Sequence, residues 1–372
     1  MRGAAPLRIV VIAPLRFPIR RPHAGGLESA VWAEVEALRS RGHDVTFIAP
    51  LGSDFLGDDA VFHLPRLTWP QGATSSDDTW PESYHSSSAP ALGRALDAIA
   101  AHPERFDVIS NHCLHPLPLQ RAATLGVPMV TTLHTPVDEE FVSAHRAAGD
   151  RGSVFLSVSD HTRREWSAAG VPSDLLPNGV DPAAWPLGPG GDGLVWFGRI
   201  VPEKAPHLAV EVARRLGRPL TIAGRVGDRR YAERVLQPLL GHGVAHVGPL
   251  GPADLARLVG SSALALATPA WAEPFGLVGP EALMCGTPVV GFAVGGVPEV
   301  AAGVVGMDLV AAGDLDAMTR QARVTLTHGA DPEFRRMVRA GAVRRFALDS
   351  RIDALEAVFA GLRPLSEDSL SA

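Results

Sequence analysis

Leu194-Val195-Trp196-Phe197-Gly198-Arg199 sets the fold class of this chain. Four consecutive apolar residues read as a strand buried on both faces, as in a parallel sheet. Gly198 allows a tight turn at the strand's C-terminal end. A helix is expected over residues 206–216, where Leu208, Val212 and Leu216 recur at i and i+4. The alternation continues with strands at 220–223, 245–247, 263–267 and 288–292, and helices at 253–259 and 280–285. Such succession implies a mainly parallel sheet covered by helices on both faces.

Upstream, residues 7–13 contain Ile9-Val10-Val11-Ile12, a second strand of the buried kind. A loop with Gly25-Gly26 leads into a helix over 27–41, with Leu27, Val31, Val35 and Leu38 on one face and Gly42 as its stop. Further strands are expected at 45–49, 107–110, 129–133 and 154–158, the last followed by a helix capped by Ser159 or Asp160. Residues 67–90, rich in Ser, Asp, Pro and Thr, read as a loop or insertion. Residues 186–193 pack Pro and Gly densely and are the expected linker and hinge. Residues after Asp331 read as helical, with a last helix over 352–362.

The 372 residues exceed the roughly 250–300 at which single cores stop growing. The expected organisation is α/β: two Rossmann-like domains, 1–185 and 194–345, with mainly parallel sheets facing a central cleft. A C-terminal helix and tail over 346–372 is free to pack back on the first domain. Strand C-termini would line the cleft, where ligands approach open parallel sheets.

Composition excludes several classes. An apolar fraction of 46% with 20% charged residues suits two globular cores. The net charge of -6 gives no reason to expect nucleic acid or membrane binding, and Arg16, Arg20 and Arg21 read as a small solvated loop cluster. Cys113 and Cys285 are too few for a disulfide framework or a zinc site and read as core residues. No run of about 18 apolar residues appears, and no apolar leader precedes the first strand, so a cytoplasmic protein is expected. Among 34 Lys plus Arg residues there is one lysine, Lys204. A chain so biased towards arginine keeps one ammonium where a guanidinium would preserve charge but not shape.

That lysine lies five residues beyond Arg199, which follows the strand at 194–197. Converging on a diphosphate, the two cations would offset charge that a divalent metal otherwise neutralises, at roughly 1.5–3 kcal/mol per charge-assisted hydrogen bond. The second motif is Glu273-Pro-Phe-Gly-Leu-Val-Gly-Pro-Glu281. Pro280 suits the first position of a helix, which places Glu281 in the first turn and Glu273 in the loop before it. The unpaired amides of a helix start attract an anion, and a carboxylate fixed there can accept two hydrogen bonds from a vicinal diol such as a ribose. Taken singly, each motif also reads blandly, as surface cations at a strand end and as a helix cap beside a solvated carboxylate.

Together the motifs resemble the retaining family-4 glycosyltransferases of the GT-B fold, the group 1 glycosyltransferases. The matching residues are Gly198-Arg199 with Glu203-Lys204, Gly224, Glu273-Pro-Phe-Gly-Leu through Glu281-Ala-Leu-Met-Cys-Gly-Thr-Pro-Val-Val, and Gly295-Gly296-Val-Pro-Glu299. Gly25-Gly26-Leu-Glu28, Leu133-His134-Thr135, Ser157-Val-Ser159 and Asn178-Gly-Val-Asp181 agree in the first half, so the resemblance covers about residues 7–310. One departure is Ala205, where the family usually has glycine after the lysine; alanine is nearly as small.

The resemblance implies a hexosyltransferase drawing on a nucleotide-diphosphate sugar, with UDP the expected nucleotide and no metal or other cofactor. Arg199 and Lys204 would bind the diphosphate, with Gly198 and Gly224 at the strand ends and Glu281 on the ribose. Glu273 would hold sugar hydroxyls, helped by the amides of Phe275, Gly276 and Leu277. His134 would sit beside the sugar from the opposing domain, and Gly25-Gly26 would admit the phosphate. Glu273, Arg199, Lys204 and His134 form the implied catalytic set. A small-molecule, glycolipid or glycan hydroxyl is the implied acceptor.

His134 ends the strand at 129–133, where ligands meet an open sheet, and so reads as a site residue. His112 and His115 follow another strand and are candidates for the acceptor pocket, while Asp138, Ser159 and Asn178 read as turn and cap residues. No Asp-x-Asp follows a strand; the pairs Asp58-Asp59 and Asp77-Asp78 lie in loop-like stretches. Three other readings remain open on sequence. Glu273 and Glu281 could be a hydrolase acid and nucleophile, although that mechanism has no use for Arg199 and Lys204. A nucleotide-sugar 2-epimerase would share the fold without an acceptor. A non-catalytic nucleotide-sugar-binding module is the third; a dinucleotide-binding one lacks its G-x-G-x-x-G fingerprint.

Overall fold

The computed structural model describes residues 5–69, 80–81, 83–149 and 152–362, and the chain forms two compact units. The first takes its described residues from Met1–Thr68, Pro81–Pro177 and Leu348–Ala372. Its strands are β1 Arg8–Ile12, β2 Asp44–Pro50, β3 His63–Leu64, β4 Val108–Asn111, β5 Met129–Leu133, β6 Val154–Ser157 and β7 Asp174–Leu175. All pair in parallel, in the order β3-β2-β1-β4-β5-β6-β7. Alternate side chains of β1 supply two cores. Ile9 and Val11 meet Val31, Val35 and Leu38 of the first helix, Gly26–Ser40, and Ile352, Leu355 and Phe359 of the C-terminal helix, Leu348–Leu362. Val10 and Ile12 face the core shared with Leu92, Leu96 and Ile99 of the helix Ser83–Ala101.

The second unit holds β8 Leu194–Phe197, β9 Leu220–Ala223, β10 Val244–His246, β11 Leu264–Ala267, β12 Val289–Phe292 and β13 Met307–Val310. These also pair in parallel, in the order β10-β9-β8-β11-β12-β13. Both sheets are therefore Rossmann-like, with every strand's C-terminal end on one edge. Leu194, Trp196, Ile222, Leu264 and Leu266 pack with Val210 and Ala213 of the helix Pro206–Leu216 and with Met318 and Ala322 of the helix Leu315–Leu326. Both cysteines are buried, as expected of core residues.

Several segments differ from the sequence-based expectation. Part of the loop expected over 67–90 is helical, since Ser83–Ala101 is a helix with Pro90 inside it. Tyr84, Ser88, Ala91, Leu92, Ala95, Leu96 and Ile99 fall at helical spacing and are all buried, so core formation outweighs the local Ser and Pro content, while Pro90 faces solvent. Asp77-Asp78 lies outside the described residues. Arg16 is not solvated but 6% exposed, whereas Arg20 and Arg21 are exposed. The edge strand β13 has half-exposed residues after Met307 and gives little apolar pattern to read. The C-terminal helix starts at Leu348, earlier than expected, and belongs to the first unit.

The stretch at 186–193 does not behave as a free linker. The amides of Gly188 and Gly190 donate to the carbonyls of Cys285 and Gly260, which packs the stretch into the second unit. The buried Arg335 guanidinium holds the same place, donating to the carbonyls of Gly260 (2.7 Å), Ser262 (3.1 Å) and Cys285 (3.2 Å) and to Thr287 Oγ1 (3.0 Å). The chain passes between units after Pro177 and after Ala347 instead. Arg335→Met would leave several buried acceptors unsatisfied and cost about 3 kcal/mol. The expected result is a loss of roughly 6–12 °C in the melting of the second unit, read by calorimetry.

Candidate active site

In the second unit the parallel register of β8 with β11 sets the chemistry. Leu194 pairs with Leu264 and Val195 with Ala265, so the loops after both strands leave from the same sheet edge. They are pinned together. Thr268 Oγ1 accepts from Trp196 Nε1 (3.0 Å) and donates to the Ala205 carbonyl (3.0 Å), and the Ala270 amide donates to the Glu203 carbonyl (2.8 Å). This brings Lys204, at the end of the turn Pro202–Lys204, onto Glu273. Lys204 Nζ donates to both carboxylate oxygens, at 2.6 and 2.7 Å. Trp271 Nε1 donates to Glu273 Oε2 at 2.9 Å, and the ammonium lies 4.9 Å from the Trp271 ring centroid. Arg199 is half-buried directly after Gly198 at the end of β8. Lys204 and Glu273 are thus one ion pair, a contact that sequence reasoning did not anticipate.

Glycine is needed where backbones meet. A Cβ on Gly224 would lie 1.7 Å from the Gly198 carbonyl oxygen, so the turns leaving β8 and β9 touch only because Gly224 has no side chain. A Cβ on Gly295 would lie 2.3 Å from the Glu273 carbonyl oxygen, which accepts from the Gly296 amide at 2.8 Å. The Gly295-Gly296 turn therefore seats the Glu273 backbone. Ala205 has φ 46° and ψ 52°, the left-handed region, which costs a residue with Cβ about 1–2 kcal/mol. Glycine at that position supplies conformation rather than small size.

Glu281 lies in the first turn of the helix Val278–Met284, which starts two residues before Pro280. The loop before it contains Phe275, buried against Phe346, then Gly276 with φ 83°, and Leu277 at the helix cap. Burial pushes the half-buried Glu281 carboxyl up to about 8.

In the first unit Gly25 caps the first helix and Gly26 begins it. Gly25 is extended, with φ -167°, a conformation open to any residue. His134 follows β5 and is half-buried, and its Nε2 lies 2.9 Å from His112 Nδ1. His112 is 1% exposed, with Nε2 2.8 Å from Glu34 Oε1, so it touches His134 rather than lining an acceptor pocket. His115 is also buried: its Nδ1 accepts from the Leu117 amide, and its ring lies 5.7 Å from that of Tyr84. Burial holds the His134 imidazole well below its usual range. Asp138, Ser159 and Asp59 serve as caps, each accepting from a backbone amide two or three residues on. Glu34, Ser110 and Arg351 join the His112 cluster without having been singled out by sequence. The available signal was Glu34, a carboxylate on the apolar face of the first helix between Val31 and Leu38.

Two family models cover most of the chain: Glycosyltransferase Family 4 matches residues 24–184, and Glycosyl transferases group 1 matches residues 186–337. The chain belongs to the group 1 glycosyltransferases. It is a GT-B glycosyltransferase that uses a nucleotide sugar. This glycosyltransferase is 29% identical to the phosphatidyl-myo-inositol mannosyltransferase of Mycolicibacterium smegmatis over 76% of the chain and 75% of that protein. It is 30% identical to the D-inositol 3-phosphate glycosyltransferase of Gordonia bronchialis, over 81% of the chain and 77% of that protein. In fold it is similar to Anabaena HepE in complex with UDP, with a TM-score of 0.71 and 18% identity over 96% of this chain and all of that one. Sucrose-phosphate synthase from Thermosynechococcus elongatus gives a TM-score of 0.73 at 18% identity, over 95% of this chain and 99% of that one. Among the described residues no helix is long and apolar enough to cross a membrane.

The raised Glu281 carboxyl has a consequence for donor binding. If Glu281 holds the donor ribose, the ribose hydroxyls would donate to its ionised form, which is half populated in the free enzyme at about pH 8. Donor affinity, measured by calorimetry, is then expected to rise with pH through about 8 and to level off above it. Glu281→Gln is expected to bind more weakly and to lose that rise.

Proposed function

We propose that this glycosyltransferase moves a hexosyl unit from a UDP-sugar to a hydroxyl of a small polyol acceptor, with retention of anomeric configuration and without a metal ion. The observation that carries the reading is the Lys204–Glu273 pair beside Arg199 at the C-terminal edge of the second sheet. Departure of a nucleoside diphosphate builds negative charge on its terminal phosphate. In this reading Lys204 exchanges Glu273 for that phosphate and Arg199 joins it, so the charge is stabilised more in the transition state than before it. Glu273, released from the ammonium, accepts hydrogen bonds from sugar hydroxyls. Within the second unit, the reading assigns the Phe275, Gly276 and Leu277 amides to the sugar and Glu281 to the ribose; within the first, it assigns His134 to the sugar and the Gly25-Gly26 turn to phosphate.

Two cations on the diphosphate do the work of a metal, which supports metal independence. Retention is supported by the family-4 match, and a uridine nucleotide by HepE in complex with UDP. The named relatives act on inositol phosphate and phosphatidyl-inositol, which supports a ring polyol as acceptor.

A thermal-shift panel of UDP-, GDP-, ADP- and TDP-sugars tests the donor: a UDP-sugar at 100-fold its Kd is expected to add roughly 2.7 kcal/mol, and a larger gain with another base would replace UDP. Lys204→Ala and Arg199→Ala are each expected to lower kcat/KM about a hundredfold, from roughly 2–3 kcal/mol per lost contact. Near-normal turnover in either variant would remove the diphosphate assignment. Initial rates are expected to be unchanged in EDTA; activity lost to chelation and restored by Mg²⁺ or Mn²⁺ refutes metal independence. Product configuration read by proton NMR decides retention.

A further inference from the structure

The buried polar cluster of the first unit is built around one carboxylate. Glu34 projects from the apolar face of the first helix and is 1% exposed. Its Oε1 accepts from Ser110 Oγ at 2.8 Å and faces His112 Nε2 at 2.8 Å; its Oε2 faces Arg351 Nη2 at 3.3 Å. Arg351 comes from the C-terminal helix and also donates to the carbonyls of Leu176 (2.8 Å) and Pro177 (2.9 Å). Four elements thus converge on one carboxylate: the first helix, β4, the turn after β4 and the C-terminal helix.

The hydrogen-bond polarity of this chain follows from its two ends. Burial raises the Glu34 carboxyl, but the His112 Nε2 contact, the Arg351 charge and the Ser110 hydroxyl outweigh burial and hold it below the usual carboxylate range, so it is ionised and accepts only. His112 Nε2 must then carry a proton. Arg351 already neutralises Glu34, and a second cation at a position 1% exposed would be an uncompensated buried charge. With the Nε2 proton given to Glu34, Nδ1 is the nitrogen left to accept. His134 Nε2, 2.9 Å away, must donate to it. One proton remains on His134, and it is used; Nδ1 carries a lone pair.

We propose that Glu34 and His112 are positioning residues that lock His134 in the Nε2–H tautomer, so that its Nδ1 accepts a hydrogen bond from a substrate hydroxyl and offers none to a phosphate oxygen. Arg351 is the counter-ion that keeps the relay in this polarity. The proposal deepens the reading of His134 as a residue of the transfer site and rests on it. It gives His134 a defined partner: a sugar or acceptor hydroxyl, rather than the diphosphate that Lys204 and Arg199 serve. A bare imidazole nitrogen facing a phosphate oxygen would repel it.

The test reads the tautomer directly and separately from activity. Long-range nitrogen–proton correlation spectra of the full-length protein labelled with ¹⁵N-histidine are recorded at pH 7.5, with His134 assigned by its loss in His134→Gln. The expected spectrum has a protonated Nε2 and an unprotonated Nδ1 for His134. A proton on Nδ1, or tautomers averaging in the wild type, overturns the proposal. The double variant Glu34→Leu, Arg351→Met removes both charges together, so that neither is left buried alone. Its His134 is expected to lose the single tautomer, and kcat to fall roughly 10- to 100-fold with donor KM within about threefold. Wild-type kcat in the folded double variant also overturns it. Should no nucleotide sugar be turned over at all, the reading of function fails while the spectra still decide the tautomer.

Discussion

Parallel pairing is the constraint on which the rest of this molecule depends. In an all-parallel sheet every strand reaches the same edge with its C-terminal end, and the loops leaving that edge are brought together whatever their separation in sequence. β8 and β11 are adjacent in the second sheet although about seventy residues lie between Lys204 and Glu273. Their register puts Trp196 within reach of Thr268, and the Thr268 hydroxyl passes that alignment to the backbone at Ala205. Lys204 meets Glu273 because the strands beneath them pair, not because either residue has a local preference for the other. The first sheet repeats the device: β4 and β5 are neighbours, and the histidines just past them, His112 and His134, touch.

Buried guanidinium groups play a second, recurring part. Arg335 and Arg351 are both nearly inaccessible, and both spend most of their donors on main-chain carbonyls at the ends of other elements. A planar, permanently charged fork can serve several acceptors at once, which an ammonium on a flexible stem cannot do as well. Arg335 ties residues 186–193 into the second unit, and Arg351 ties the C-terminal helix to the end of the first. The one lysine is placed differently. Lys204 is half-buried, paired with a carboxylate that a competing anion can displace, and compact enough to be exchanged between partners. Arg335 and Arg351 are thus held on main-chain carbonyls, whereas Lys204 is held on a side chain.

The position after Lys204 shows the difference between a residue's size and its conformation. Judged by volume, alanine replaces glycine at 205 with little change. The backbone there is left-handed, and the relevant property is tolerance of positive φ. Ala205 is 1% exposed, its amide donates to the Val201 and Pro202 carbonyls, and its own carbonyl accepts from Thr268. The surroundings hold the strained residue in place, and the turn that presents Lys204 is kept at a local cost.

The sequence alone determined the alternation of buried strands and amphipathic helices, because runs such as Ile9–Ile12 and Leu194–Phe197 and the i, i+4 spacing of residues 206–216 are local signals. From these followed two Rossmann-like sheets and, with Gly198-Arg199, Lys204 and the Glu273 to Glu281 motif, the glycosyltransferase family. What remained illegible was decided by burial and by long-range partners. Local Ser and Pro content hid a helix at Ser83–Ala101 that its buried face stabilises. Pro and Gly made residues 186–193 look free, although hydrogen bonds from Gly188, Gly190 and Arg335 pack them down. His112 looked like a pocket residue because strand ends face ligands; its partner Glu34, more than seventy residues earlier in the chain, and Arg351 on the last helix turn it inward. A pattern in one segment reports the environment that segment prefers. Only the fold decides which distant charge, carbonyl or hydroxyl is brought to it, and that pairing sets protonation, strain and reach.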